Sequence, residues 1–369
     1  VPRRIMEGVI AGVNSGGNCS GIPTPQGFSL FDERFKGKPL VFVGTLGLIP
    51  QKISGKNSWE KKAQAGDYIV MVGGRVGLDG VHGATFSSEA MDAGSPATAV
   101  QLGDPITQKK LSDAIVKEAR DKELYNSITD NGAGGLSCSV AEMARESNGC
   151  QVELEKVPVK YAGMSPWQIW ISESQERMTL SVPPEKLGAF QQLMHDRGVE
   201  STVIGKFTDS GSCIVTFHGE NVMDIELEFL HEGLPAKRME TTPKKNIFQE
   251  PALETRENYS LELLEMLSRL NICSKEFINL QFDHEVQANS VIKPLQGKGR
   301  VQGNYSVIKP ILSSSKGIGL GQGIFSGYSD ISTYWMAAAG IDLAVRQAIC
   351  AGSNAQKIAL LDNFCWCSS

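Results

Sequence analysis

Four stretches of the chain carry residue types suited to chemistry on a phosphorylated substrate. The longest, Gly73 to Ser88, reads GGRVGLDGVHGATFSS and combines five glycines with Arg75, His82 and hydroxyl side chains. Glycine lets the backbone take positive φ and approach a ligand closely, and backbone N–H groups beside an arginine can face an anion. Asp130 opens a second glycine loop, DNGAGGL. A carboxylate at an uncrowded strand end suits Mg2+, a hard cation that takes one or two protein carboxylates and completes its shell with water and phosphate oxygens. The segment Ser172-Glu173-Ser174-Gln175-Glu176-Arg177 is dense in hydrogen-bonding groups, and the amide of Gln101, in VQLGDP, can both donate and accept toward a substrate. Each stretch also has a plain structural reading: a surface loop, a turn aspartate, a solvated helix end and a water-facing amide have the same compositions.

Other chemistries are excluded by pattern. The five histidines, His82, His195, His218, His231 and His284, have no metal-ligand spacing. There is no GxSxG elbow and no GxxxxGK[ST] loop, which removes common hydrolase and P-loop readings. The eight cysteines are scattered rather than regularly spaced and read as reduced thiols; Cys365-Trp-Cys367 has no second pair or histidine beside it to complete a zinc site.

Composition sets the outer bounds. The 369 residues, with a formal net charge of −5, 41% hydrophobic and 21% charged residues, describe a globular chain without the basic excess that general nucleic-acid binding requires. No run of about 18 apolar residues is present to span a membrane, and the start, VPRRIMEGVI, lacks the apolar core of a signal peptide. A soluble cytoplasmic protein with small-molecule ligands is the expectation, with no nucleic-acid or membrane partner.

The elements that must position these residues alternate between helix and strand. Ile5, Gly8, Val9, Gly12 and Val13 fall on one helical face, and a Gly/Asn/Pro-rich loop from Asn14 to Gly27 is expected next. Pro39 to Leu48 reads as a strand. Tyr68 to Val72 predicts a buried strand running into the first glycine loop, and Leu111, Ala114, Ile115 and Ala119 line one helical face. Helices at Val140 to Glu146, around Trp167 and Trp170, and at Leu187 to Asp196 intervene between strands at Val152 to Val159, Met178 to Val182, Thr202 to Phe207 and Cys213 to Phe217. The fold class is therefore α/β, or mixed α+β, with helices against one largely antiparallel sheet. Pro243 to Asn258 reads as a linker. Beyond it, helices led by Leu263, Met266, Leu267 and Leu270 and by Ile341, Ala344, Val345, Ala348 and Ile349 bracket short strands, and Ile358 to Leu361 reads as a last strand. Both ends read as cut through structure, so the chain is expected to be an internal piece of a longer polypeptide.

Taken in order, GGRVGLDGVHGATFSS, VQLGDP, DNGAGGLSCSVAEMA, GMSPWQIWISESQERM and FDHEVQANSVIKP resemble the synthetase subunit of phosphoribosylformylglycinamidine synthase, in the AIR synthase superfamily. The likeness covers nearly the whole chain. It implies a tandem repeat truncated at both ends: residues 1–64 as the end of a first N-terminal domain, 65–240 as the first C-terminal α/β domain, 241–258 as linker and 259–369 as the start of a second N-terminal domain. It implies an ATP-dependent ligase of purine biosynthesis that phosphorylates the amide oxygen of formylglycinamide ribonucleotide, after which ammonia from a glutaminase subunit or domain displaces the phosphate.

By the same resemblance Gln101, Glu173, Ser174 and Gln175 match substrate-contacting positions, and His82, Gly83 and Thr85 lie in a loop lining the same cleft. Asp130 matches a magnesium ligand. Asp362, in LLDNF, resembles an aspartate associated with ATP, although Cys365-Trp366 departs from that motif. The family's catalytic histidine is expected before Val1. The alternatives left open are another ATP-dependent enzyme of the superfamily and a non-catalytic binding or scaffold piece. The isolated chain, given ATP, magnesium, ammonia and substrate, is expected to form no formylglycinamidine ribonucleotide in a product assay; turnover at a normal rate would count against the placement of the missing histidine.

Overall fold

The computed structural model describes residues 2–36, 39–88, 103–240, 249–252 and 254–364. The chain divides into two compact units: one built from Val1–Gly44 together with Arg238–Ser369, the other from Thr45–Lys237. The first helix, α1 (Pro2–Ser20), belongs to the former and takes in residues 14–20 of the stretch Asn14 to Gly27 expected to be loop, while 21–27 lie outside any helix or strand.

The Thr45–Lys237 unit opens with a short hairpin, β1 (Lys52–Ile53) and β2 (Lys56–Asn57), and is organised on β3 (Tyr68–Gly73). Around β3 the chain lays down β4 (Ser127–Asp130), β5 (Cys150–Glu153), β6 (Arg177–Val182), β7 (Ser201–Phe207), β8 (Ser212–Phe217) and β9 (Glu220–Glu226). The seven strands order as β4-β6-β3-β7-β5-β8-β9, and all neighbours are antiparallel except β5 and β8. The sheet is thus largely antiparallel, as the patterning predicts.

Helices cover both faces of this sheet. They are α2 (Gly83–Ser88), α3 (Pro105–Ala114, continued by a π-helical turn to Ala119), α4 (Leu136–Ser147), α5 (Pro166–Ile171), α6 (Leu187–Asp196) and α7 (Leu227–Glu232). Because successive side chains of a strand point to opposite faces, β3 feeds two cores. Ile69 and Met71 enter one with Val140 and Met143 of α4 and Ile169 and Trp170 of α5. Val70 and Val72 enter the other with Leu111 of α3 and Phe190 and Met194 of α6. That double burial explains the unbroken apolar run of β3.

Helix starts follow from local chemistry. Asp104 caps α3, its Oδ1 accepting from Ile106 N at 3.1 Å, with Pro105 as the first helical residue. Pro166 opens α5 likewise, and the Gln168 side chain accepts from Ser165 N at 2.9 Å. The expected strand from Val152 to Val159 is shorter: β5 ends at Glu153 in a 3-10 turn, and Val159 makes one parallel bridge to Val76.

In the other unit, α8 (Ser260–Ser268) and α9 (Glu276–Asn279) precede β10 (Ser290–Ile292), β11 (Leu295–Gln296), β12 (Val301–Gln302), β13 (Tyr305–Ile308) and β14 (Ile318–Gly321), and α10 (Thr333–Cys350) follows. β10, β13 and β14 form a three-stranded antiparallel sheet. The Gln347 side chain of α10 accepts from Gln322 N at 2.8 Å, just past β14. Chain-distant segments close the unit: Asn271 exchanges two hydrogen bonds with the backbone of Phe31, at 2.7 and 2.9 Å, and Ser326 Oγ donates to Asp32 at 3.1 Å. Both ring nitrogens of His284 face carbonyl oxygens, Thr24 at 2.7 Å and Asn279 at 3.0 Å.

Two expected strands do not form. Pro39 to Leu48 and Ile358 to Leu361 are exposed chain without strand pairing, with Val43 65% and Leu361 75% exposed. Apolar, β-prone sequence becomes a strand only when another backbone completes its ladder, and among the described residues none does so. Of the linker expected at Pro243 to Asn258, residues 243–248 and 253 lie outside the described residues.

The double burial of the sheet sets a stability contrast. Leu180→Ala in β6, at a fully buried position, is expected to cost about 2 to 5 kcal/mol in urea unfolding. Leu261→Ala in α8, 80% exposed, should stay within about 0.5 kcal/mol of the parent chain.

Candidate functional site

Strand directions gather the candidate residues. β3 and β4 both flank β6 antiparallel, so their C-terminal ends and the start of β6 lie at one end of the sheet: Gly73 pairs with Arg177, and Asp130 with Met178. The first glycine loop leaves β3 there, the second leaves β4 there, and Ser172–Glu176 enters β6 between them.

The loops meet backbone on backbone. Gly73, at φ +103°, and Gly135, at φ +57°, lie so close to the carbonyl oxygens of Glu176 and Ser172 that neither has room for a Cβ. At Gly80, φ +87°, a Cβ would fall 2.7 Å from the carbonyl carbon of Glu173 and 2.9 Å from Ser174 N. The glycines therefore serve first to let two loops close on a third segment.

Side chains of that segment complete the joint. The Glu173 carboxylate joins the two loops: one oxygen accepts from Ala84 N at 2.8 Å, in the first turn of α2, and the other from Gly134 N at 3.0 Å. Ser174 is fully buried, its hydroxyl accepting from Gly77 N at 3.0 Å and donating to Asp79 O at 2.9 Å. Ser172, equally buried, donates to Gly77 O at 2.7 Å. Gln175 is exposed, with its amide donating to Glu173 O at 2.8 Å. Glu176, at φ +56°, accepts from Asp104 N at 2.9 Å, and burial pushes its carboxyl up from the ordinary glutamate range.

Arg177 anchors the segment from below. It is 3% exposed, and its guanidinium donates to Ser174 O at 2.6 Å and Ser172 O at 2.5 Å while a third nitrogen lies 3.9 Å from Met71 Sδ. Burial pushes its pKa down to about 10, which leaves it charged at neutral pH. Two positions further along β6, Thr179 donates to Asn131 Oδ1 at 2.7 Å and its hydroxyl lies 3.0 Å from that of Ser139; Ser181 donates to Asp67 at 2.6 Å.

The sequence-singled residues thus fall into distinct places. Glu173, Ser174, Gln175, His82 and Gly83 come together. His82 is exposed, at φ +61°, with its ring centroid 5.9 Å from that of Trp167, and Gly83 opens α2. Thr85 contributes its backbone to α2; its side chain, like the whole of Gln101, lies outside the described residues. Asp130 is exposed at the end of β4, beside the second loop. Asp362 belongs to the other unit and sits in exposed chain outside any helix or strand. Ser174 presents no hydroxyl to a ligand, because both its donor and acceptor roles are used inside the joint.

Arg75 also differs from its expected part. Rather than being left for a ligand anion, it pairs with the chain's own Glu200, Nε to Oε2 at 2.9 Å and Nη2 to Oε1 at 3.2 Å. Lys160 also reaches the loop, its ammonium 2.6 Å from Asp79. Burial and the adjacent Glu142 push the Cys138 thiol up to about 11, which disfavours the thiolate form.

A metal fit can be judged from donor chemistry. Among the described residues no group of three or more His, Cys, Asp or Glu side chains converges. Asp130 is a single exposed hard oxygen donor, which fits Mg2+ brought in with phosphate oxygens and water, not a cation caged by protein.

Against known proteins, the family described as AIR synthase related protein, C-terminal domain, matches residues 64–218. Phosphoribosylformylglycinamidine synthase subunit PurL of Picrophilus torridus is 33% identical over 367 residues, covering 98% of this chain and 49% of that protein. The same subunit of Staphylococcus saprophyticus is 36% identical over 301 residues, 79% of this chain and 40% of that protein. The chain therefore spans about half the length of the curated relatives it matches. Among solved structures, T. maritima PurL complexed with FGAR superposes with a TM-score of 0.69 at 23% identity, over 94% of this chain and 53% of that one. T. maritima PurL complexed with ATP gives 0.60 at 23%, over 92% and 50%. The fold of both units is shared with these proteins.

Two glycines with the same backbone demand separate strain from collision. Gly163, at φ +86° with no atom within 4 Å of a Cβ, should cost about 1 to 2 kcal/mol when replaced by alanine. Gly80→Ala, at φ +87° but against the backbone of Glu173 and Ser174, is expected to lose clearly more than that strain of about 1 to 2 kcal/mol, as measured by denaturant unfolding of the two variants side by side.

Proposed function

The chain is a PurL-like member of the AIR synthase superfamily, and on that premise we propose that it forms part of an ATP-dependent ligase converting formylglycinamide ribonucleotide to formylglycinamidine ribonucleotide. Ammonia would come from glutamine through a glutaminase subunit or domain, in purine biosynthesis in the cytoplasm. The division into 1–64, 65–240, 241–258 and 259–369 as pieces of a tandem repeat belongs to the same proposal. Its supports are the likeness to PurL of several organisms across nearly the whole chain and the shared fold with T. maritima PurL, a protein solved in complex with FGAR and with ATP.

The observation that carries the reading is the joint at one end of the sheet. Two glycine loops and the Ser172–Gln175 turn converge there, and Glu173 ties them. Binding a ribonucleotide needs polar groups held in fixed directions, and converging strand ends of a rigid sheet provide that. Gln175, His82 and the rim of α2 are exposed at this joint and would meet the substrate; Gln101 is assigned to the same role by motif. Ser174 and Glu173 would act by fixing the loops. Asp130 would hold Mg2+, which when bound neutralises phosphate charge. Asp362 is assigned to the nucleotide by motif alone.

Calorimetry tests this reading directly. Formylglycinamide ribonucleotide is expected to bind the chain. Glu173→Gln places an amide donor against one of the two N–H groups that the carboxylate accepts from, and should weaken binding by about tenfold or more. Asp130→Asn should leave that affinity within about twofold and weaken magnesium-dependent ATP binding instead. Absence of any heat with the ribonucleotide, in a chain whose melting transition is intact, would remove the substrate assignment.

A further inference from the structure

We propose that Arg177 is a positioning residue for the substrate joint: its buried guanidinium sets the Ser172–Gln175 turn by holding two of its carbonyls, and so aims the Glu173 carboxylate at both glycine loops. This deepens the substrate reading above and rests on it for the ligand, though not for the geometry.

The geometry is specific to arginine. The guanidinium is a planar fork whose donors diverge in fixed directions. Here Nε reaches Ser174 O at 2.6 Å and Nη2 reaches Ser172 O at 2.5 Å, so one rigid group spans the residues either side of Glu173. Within this turn Ser172 N donates back to Gln168 O at 3.1 Å, Glu173 N donates to Gly80 O at 3.1 Å, and the two serine hydroxyls take up Gly77 and Asp79. With the carbonyls on either side and its own N–H all engaged, the Glu173 carboxylate is left to Ala84 N and Gly134 N.

The charge itself argues for this role. A buried cation is costly unless polar groups surround it, and no carboxylate is hydrogen-bonded to Arg177 among the described residues. Asp79 acts on it only at a distance, as a charge that favours the protonated form. Carbonyl dipoles of the turn therefore take the place of a counter-ion. The pairing of Arg177 with Gly73 in the sheet uses backbone alone and leaves the guanidinium to the turn. What the sheet does not need, the turn does.

A lysine at this position keeps the charge but is a single point donor, unable to hold both carbonyls in the same fork. The full chain labelled with 15N-glycine and 15N-alanine reports the outcome through the amides of Gly134 and Ala84, whose protons should lie downfield in the parent protein because each donates to a carboxylate. In Arg177→Lys and Arg177→Met both signals are expected to move upfield while those of Gly198 and Gly211, outside the joint, stay in place. Glu173→Gln should shift the same two signals. Affinity for formylglycinamide ribonucleotide, measured in parallel, should fall by about tenfold in Arg177→Met, with Arg177→Lys between that and the parent.

Unmoved Gly134 and Ala84 signals in both arginine variants would overturn the proposal. Loss of the dispersed spectrum in both would overturn it as well, since Arg177 would then belong to the fold and not to the joint. If the parent chain fails to bind the ribonucleotide while the two amides still respond, the substrate reading falls and the positioning role stands.

Discussion

The Thr45–Lys237 unit depends on three stretches of backbone packing against one another with no side chain between them. Gly73, Gly80 and Gly135 all lie on the Ser172–Glu176 turn, at distances that exclude a Cβ. Such contact removes water from N–H and C=O groups, which must then be satisfied internally. The surrounding chemistry follows from that requirement: Ser174 takes Gly77 N, Glu173 takes Ala84 N and Gly134 N, Ser172 takes Gly77 O, and Arg177 takes the carbonyls of Ser172 and Ser174. The loops are rich in glycine because they touch, and rich in polar side chains because touching buries their backbone.

β6 extends the same logic into the sheet. Arg177, Thr179 and Ser181 alternate along one face and are 3%, 0% and 0% exposed. Arg177 takes the turn carbonyls, Thr179 takes Asn131, just past β4, and Ser139 of α4, and Ser181 takes Asp67, just before β3. A satisfied polar stripe inside a core adds direction to packing that apolar contacts alone leave permissive, and it fixes the register of β4 against β6 at the level of Asp130.

Much of this was legible in the sequence. The apolar run from Tyr68, the periodic helix from Leu187 to Asp196 and the strands from Thr202 and Cys213 are local signals, and they survive into the structure nearly unchanged. The helix and strand class followed from their alternation. Less legible was anything set by distant partners. Pro39 to Leu48 has the composition of a strand, but strand formation is a property of two segments, and no second one pairs with it among the described residues. β9, by contrast, is polar enough in sequence to pass unnoticed and forms because β8 offers an edge.

The site divided along similar lines. Motif order brought Glu173, Ser174, Gln175, His82 and Gly83 to notice, and the structure gathers them. Their individual parts were not readable, because a hydroxyl that meets a ligand and one that meets a buried amide have the same letter. Arg177, alternating with Thr179 and Ser181, has the pattern of a solvent face, yet the fold buries all three, with Ser139 of α4 against Thr179. Arg75 erred the other way, since an arginine in a glycine loop suggests an anion and Glu200, far along the chain, supplies one.

The division of the chain carries a consequence for its synthesis. Residues 45–237 form a continuous unit, flanked by the two pieces, Val1–Gly44 and Arg238–Ser369, that make up the other. As the polypeptide emerges, Thr24, Phe31 and Asp32 must wait for His284, Asn271 and Ser326 before these hydrogen bonds can close. The continuous unit has no such delay, and its own contacts can form first.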